Sequence, residues 1–170
     1  NPRAIYVEAL VDGESWIVSR ETVPKLRDQL REVRVLREFR GSELLGKKCR
    51  NPIRGDLIYV LPASFVDPWV GTGVVMSVPS HAPYDYLAIR DLKRNPRELE
   101  EYGLDLSILE KIRPISIIRV EGMGEHPAIE VVEKMEIENQ LDERAEEATR
   151  EVYKKEYHEG VMKENCGRYA

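Results

Sequence analysis

The apolar positions of this 170-residue chain fall into short blocks separated by turn residues, and the spacing inside the blocks changes along the sequence. Residues 4–11 and 14–19 read as two extended segments joined by Asp12-Gly13, a dipeptide suited to a two-residue hairpin turn with positive φ. Val23, Leu26 and Leu30 then recur at helical spacing, with Pro24 tolerated in the first turn, which predicts a short amphipathic helix over 22–30. Val33, Val35, Leu36 and Phe39 form a further strand. Gly41 and Gly46 bracket a turn, Asn51-Pro52 and Arg54-Gly55-Asp56 mark another, and residues 58–61 make a strand that stops at Pro62.

The block 71–86, GTGVVMSVPSHAPYDY, holds more chemistry than any other. Gly71 and Gly73 flank Thr72 in a tight turn. Val74, Val75, Met76 and Val78 then read as a strand buried on both faces, ended by Pro79. A helix is expected from Tyr84 to about Lys93. Leu87, Ile89, Leu92, Leu99, Tyr102, Leu106 and Leu109, broken by Asn95-Pro96 and Gly103, predict short helices. Residues 115–120 are strand-like, and 128–132 fit either a last strand or a short helix. Leu141, Ala145, Ala148, Val152, Tyr153 and Tyr157 make one stripe of a helix over 141–157 whose other face is charged and solvated. Short strands with turns between them predict a mainly β fold with α: a small closed or distorted barrel, decorated by short helices and one longer C-terminal helix.

Composition narrows this reading in three ways. At 42% hydrophobic the chain can bury the core of one domain, and it contains no internal repeat and no low-complexity linker. A formal charge of −5 argues against a broad phosphate-binding face, so any nucleic acid is held mostly elsewhere. Cys49 and Cys166 are far apart, no apolar run approaches the ~18 residues that a membrane span needs, and no secretory signal is visible. A cytoplasmic protein without membrane contact is the expectation.

Asp85 is the leading candidate for chemistry. A carboxylate at the mouth of an apolar pocket pairs with an ammonium group and orients what is attached to it; equally, Asp near a helix start can simply cap it. Met76 and Val78 fit a pocket lining or plain core, and Thr72 fits a turn or a pocket hydroxyl. His81 fits a group that touches substrate or water, or a structural imidazole. His81, His126 and His158 are mutually isolated, with no HExxH or paired CxxC, so no metal site is expected. A phosphate loop of GxxxxGK[ST] type is absent. Glu125-His126-Pro127 cannot continue Gly122-Met123-Gly124 as a dinucleotide fingerprint, and Ser77 and Ser80 lack a GxSxG context.

The 71–86 block resembles the editing-domain motif of the class I aminoacyl-tRNA synthetases for branched aliphatic amino acids. Val75-Met76-Ser77-Val78-Pro79, with Glu136-Ile137-Glu138-Asn139-Gln140 and the run from Tyr157-His158 through Met162, is similar to the leucyl type found in archaea and the eukaryotic cytosol, and the likeness covers essentially the whole chain. The resemblance implies post-transfer editing: hydrolysis, by a positioned water and without a covalent intermediate, of a noncognate aminoacyl ester on the 3′ end of mischarged tRNA-Leu. It implies that Asp85 holds the substrate's amino group and that Thr72, Met76 and Val78 bind its side chain, with His81 near the ribose or the water. No cofactor is implied for this domain, whereas ATP and Mg²⁺ serve the full-length synthetase, the remainder of which is a partner.

Two departures qualify the match. The HIGH and KMSKS signatures of the family's ATP site are absent from this segment, so ligation lies outside it. The family's threonine-rich segment of TLRPET kind, which supplies the other wall of the pocket, is also absent; Thr22 and Thr149 stand in the wrong context. Residues 1–170 are therefore expected to be an editing domain truncated on its N-terminal side and cut from a larger synthetase. The alternative is a non-catalytic module that positions the tRNA 3′ end.

Overall fold

A computed structural model describes residues 1–169, with side chains through 166. The chain forms two compact units, one made of Asn1–Met76 and Leu99–Leu104, the other of Ser77–Glu98 together with 105–170.

The first unit is built on β1 (Ile5–Val11), β2 (Glu14–Ser19) and β3 (Val33–Arg40), an antiparallel sheet in the order β2-β1-β3. Asp12 and Gly13 have φ of 48° and 90°, the pair of positive values that the hairpin turn requires. Val7, Ala9 and Val11 share the buried face and pack with Val18 and, from α1 (Thr22–Asp28), Val23 and Leu26. A bulge between Glu8 and Ala9 leaves Leu36 unpaired in β3. One extra residue switches faces, so Val33 and Val35 reach the core whereas Phe39 lies opposite Tyr6 on the other side, the two rings stacked at 6.5 Å.

α1 ends earlier than its apolar spacing predicts. Leu30 sits past the C-cap at φ 62°, the Leu30 N–H donates to the Arg27 carbonyl and the Arg31 N–H to that of Leu26. This is a Schellman closure with Leu where glycine is usual, and it leaves Leu30 95% exposed rather than in the apolar stripe. β4 (Lys48–Arg50) and β5 (Leu57–Tyr59) form a two-stranded sheet of their own.

The second unit is mainly helical: α2 (Pro83–Arg94), α4 (Ser107–Glu110), α5 (Pro127–Lys134) and α6 (Arg144–Glu159), with α3 (Arg97–Glu101) at the point where the chain passes between units. Its core joins Leu87 of α2, Val131 and Val132 of α5, Ile137, and Ala145, Ala148 and Val152 of α6. Residues 128–132 are thus helix. Pro83 and Pro127 occupy first helical turns, where a missing N–H costs nothing. α5 repeats the closure of α1: Glu136 at φ 50° lets Ile137 fold back onto Val132. Only β6 (Ile118–Arg119) of the expected strand 115–120 is laddered, to β7 (Val161–Met162).

Three further expectations need correction. No closed barrel forms among the described residues; the strands make three separate antiparallel sheets. The run 74–78 is not a doubly buried strand either: it has no ladder partner, and Val74, Val75, Met76 and Val78 are all exposed, Met76 by 50%. The prolines at 62, 68 and 79, which have no N–H to donate, flank this stretch and separate it from regular strands. The α6 stripe is also narrower than its spacing suggests, because α6 begins at Arg144 and leaves Leu141 71% exposed.

Leu87→Ala should therefore cost about 2–5 kcal/mol of stability through a cavity in the α2-α5-α6 core, whereas Leu141→Ala should change it by less than about 0.5 kcal/mol. Urea unfolding followed by circular dichroism measures both, and equal effects would contradict this assignment of the core.

Candidate functional site

In the first unit the GTG turn is moored to the hairpin and α1. The Ser19 N–H donates to the Thr72 carbonyl (2.8 Å), and Tyr6 Oη–H to that of Gly73 (2.7 Å). Ser19 Oγ lies 2.6 Å from the Pro68 carbonyl oxygen, Thr22 Oγ1 lies 2.9 Å from that of Gly71, and the two hydroxyls are 2.7 Å apart. Each hydroxyl carries one proton, so the two protons satisfy two of these three contacts at a time. Gly73 is required here. Its φ is +69°, and a Cβ would stand 2.6 Å from Ser19 Cβ. Thr72 itself is exposed, and its hydroxyl closes a local turn with the Val74 backbone. Met76 belongs to this unit as well.

In the second unit the structure brings Val78, His81 and Asp85 together. Val78 O accepts from the N–H groups of both His81 and Ala82, at 2.9 Å each, which folds 78–82 into a tight turn leading into α2. Asp85 stands in the first turn of α2, but its side chain does not cap that helix. Oδ2 instead accepts the Val78 N–H at 2.7 Å, while Oδ1 makes no hydrogen bond among the described residues. The residue is 4% exposed. Burial pushes its carboxyl above the usual aspartate range, and the Val78 N–H holds part of that rise back. The result is a buried carboxylate with one oxygen fixed and one available.

The turn is fastened on three sides. Ser80 Oγ lies 2.9 Å from His126 Nδ1, and the Ser80 carbonyl accepts the Ala128 N–H at the start of α5. His81 Nδ1 lies 2.5 Å from Glu156 Oε1 of α6, and His81 Nε2 accepts the Ile117 N–H at 2.9 Å. Since Nε2 accepts a backbone proton, Nδ1 must carry the ring proton and donate it to Glu156. Both nitrogens of this buried ring are thereby engaged within the unit. In α6, burial raises the phenol of Tyr153, and the charges of Asp85 and Glu156 raise it further.

Comparison with known proteins gives a consistent picture. No protein-family model matches the chain. The leucine–tRNA ligase of Pyrococcus horikoshii is 51% identical over 168 residues, and that of Methanothrix thermoacetophila is 49% identical over 170. These matches cover 96% and 100% of this chain but 17% and 18% of the relatives, so the chain spans under a fifth of their length. Among solved structures, a crystal structure of GlLeuRS-CP1 superposes with a TM-score of 0.85 at 29% identity, covering 99% of this chain and 65% of that one. The Plasmodium falciparum cytosolic leucyl-tRNA synthetase editing domain shares the fold, with a TM-score of 0.90 at 22% identity over 99% of this chain and 64% of its own.

The chain belongs to the leucyl-tRNA synthetase editing-domain family.

Within this family segment, sequence reading singled out Asp85 and His81 but missed Glu156 and Ile117, which hold the imidazole. Glu156 was hidden in a charge-rich helix, where nothing local separates it from solvated glutamates such as Glu151. Among the described residues no group of three or more His, Cys, Asp or Glu could hold a metal ion. No helix of the described residues is long and apolar enough to cross a membrane.

The Asp85 environment yields a pH test. A raised folded-state value means that the folded protein holds this proton more tightly than the unfolded chain does. Stability is thus penalised above the raised value, and the penalty fades as pH falls toward the unfolded value of about 3.8. Asp85→Asn, which retains an acceptor for Val78, should raise the thermal midpoint at neutral pH, with a gain that shrinks as pH approaches 4. A gain independent of pH, or a loss at neutral pH, would show that burial does not dominate at this carboxylate.

Proposed function

We propose that this segment hydrolyses the ester of a noncognate amino acid on the 3′ end of tRNA-Leu, within a longer leucine–tRNA ligase that supplies the remainder of the tRNA contacts. The observation that supports this most is Asp85: a buried carboxylate whose Oδ2 is fixed by the Val78 N–H and whose Oδ1 is available to a cation. An aminoacyl ester carries such a cation, the α-ammonium, two bonds from the carbonyl carbon that water must attack. A charge-assisted contact to Oδ1 would fix the ammonium and, through it, the carbonyl. Water then adds to the carbonyl carbon and the bond to the ribose oxygen breaks, releasing free amino acid and tRNA with its terminal hydroxyl restored.

The need for a second site follows from the small energetic difference between aliphatic side chains. One methylene is worth about 1–3 kcal/mol in an apolar pocket, less than faithful charging requires. Val78, exposed beside the carboxylate, is proposed to meet the substrate side chain. For Thr72 and Met76, the side-chain-binding roles implied by the resemblance are carried forward as proposals from sequence. For His81 the engagement of both ring nitrogens supports a positioning role, holding the turn that presents the Val78 N–H. The reading makes ATP and Mg²⁺ requirements of the longer protein and not of this step, and it keeps the expected cytoplasmic location.

Asp85→Ala in the natural full-length protein should lower deacylation of isoleucyl- or norvalyl-tRNA-Leu by about 30- to 1,000-fold, the loss of about 2–4 kcal/mol from one partner of a desolvated ion pair. Aminoacylation with leucine should persist. Unchanged deacylation by a folded variant would remove Asp85 from the reaction and favour a module that positions the tRNA end without cleaving the ester.

A further inference from the structure

Glu156 differs from the other acids of α6. Glu146 and Glu151 pair with Arg150 and Lys155 on the surface, four residues along the same helix. The Glu156 side chain, one turn beyond the core residue Val152, is 7% exposed and faces an imidazole buried to the same degree. Taking such a pair out of water is costly, and well-packed apolar side chains of similar volume often stabilise a protein as much or more. What the pair supplies here is a geometry.

One stretch of chain sets both ends of the His81 ring. Glu156 accepts the Nδ1 proton at 2.5 Å, and the chain then turns at Gly160 into β7, which ladders with β6. Glycine makes this return close: a Cβ at 160 would collide with the Glu156 carbonyl and stand 2.7 Å from Ile118 Cγ2. The Lys163 N–H donates to the Ile117 carbonyl at 2.8 Å, and Asn165 Nδ2 to that of Ser116 at 2.9 Å. Ile117 is thereby held with its own N–H on His81 Nε2. A backbone N–H can only donate, so Nε2 stays unprotonated and the ring is locked as the Nδ1–H tautomer, with Glu156 as its acceptor.

We propose that Glu156 is a positioning residue for ester hydrolysis at Asp85. It holds His81, His81 ties the 78–82 turn to α6 and to Ile117, and the turn presents the Val78 N–H that fixes Asp85 Oδ2. This rests on the deacylation reading. Glu156 acts through the imidazole, so its role is one of reach and not of charge. Moving it displaces the Asp85 carboxylate without neutralising it: the ammonium is still attracted, while the carbonyl is presented out of line with the attacking water. The signature is a fall in kcat with KM retained.

The test uses the natural full-length protein and separates reach from charge, with leucine charging as the check that each variant is folded. Glu156→Asp keeps the charge and shortens the side chain by one methylene; it should lower kcat for deacylation of isoleucyl-tRNA-Leu about 10- to 100-fold, with KM within about threefold of the parent. Glu156→Gln keeps the reach and loses the charge; it should hold kcat within about threefold, because its amide oxygen accepts the Nδ1 proton in the tautomer that Ile117 imposes. Carbethoxylation of His81, read by mass spectrometry, reports on the ring itself. It should be slow in the parent and in Glu156→Gln and about tenfold faster in Glu156→Asp, which loses a hydrogen bond to a charged acceptor. Parent-like kcat in Glu156→Asp, or a Glu156→Gln as impaired as Glu156→Asp, overturns the positioning role while the parent's deacylation keeps the hydrolytic reading. A parent that does not deacylate overturns that reading and the role within it; faster carbethoxylation in Glu156→Asp then still identifies Glu156 as the residue that holds the 78–82 turn.

Discussion

One hydrogen bond organises the second unit around its candidate chemistry: the Val78 N–H donating to Asp85 Oδ2 across 2.7 Å. A carboxylate that is 4% exposed is costly in its charged form, and one backbone proton offsets part of that cost. Asp85 does not settle the expense by capping α2, which its position in the first turn would permit; it reaches back to the residue before Pro79 instead. A group held in such an unfavourable state, with one oxygen tied and the other available, is the arrangement expected where stability is given up for binding a cation.

That bond lasts only as long as the 78–82 turn keeps its shape, and the surrounding contacts serve this end. Val78 O closes the turn by accepting two N–H groups, Ser80 is fastened to His126 and Ala128, and His81 bridges Glu156 of α6 and the Ile117 backbone. α2 is in turn pinned to its neighbours by Arg90, whose guanidinium pairs with Glu133 at 2.8 Å and donates to the Ile137 and Glu138 carbonyls. Asp91 accepts from Gln140. A run of polar contacts therefore ties the three long helices of the unit to one short turn, over a core of Leu87, Val132, Ala148 and Val152. In the first unit the Ser19 and Thr22 hydroxyls do the same for the GTG turn, with Gly73 as the position that no other residue fits.

Local signals were legible in the sequence and long-range ones were not. Asp12-Gly13 specified its hairpin, the helix expected from Tyr84 to about Lys93 matches α2 to within a residue at each end, and the 71–86 block pointed to its family, because each depends on residues adjacent in the chain. Leu30 misled because a Schellman closure places an apolar residue outside the periodic face and leaves no mark in composition. Val74 to Val78 has the β-propensity of a central strand, yet a strand needs a neighbour to pair with, and spacing along one segment cannot show whether a neighbour exists. Tyr153 and Tyr157 match the α6 stripe in period, but α6 meets α2 and α5 along its first half, so apolar residues near its C-terminal end remain outside the core. Glu156 was unreadable because its partner is 75 residues away.

The carbon-13 resonance of the Asp85 side-chain carboxyl, followed through a pH titration, tests the central claim most directly. The account predicts a midpoint above the ordinary aspartate value of about 3.8, moving down when a short amino-acid ester or amine occupies Oδ1. A midpoint at or below that value in the free protein, unmoved by the amine, would mean that Asp85 is an ordinary solvated or capping carboxylate and that the site lies elsewhere.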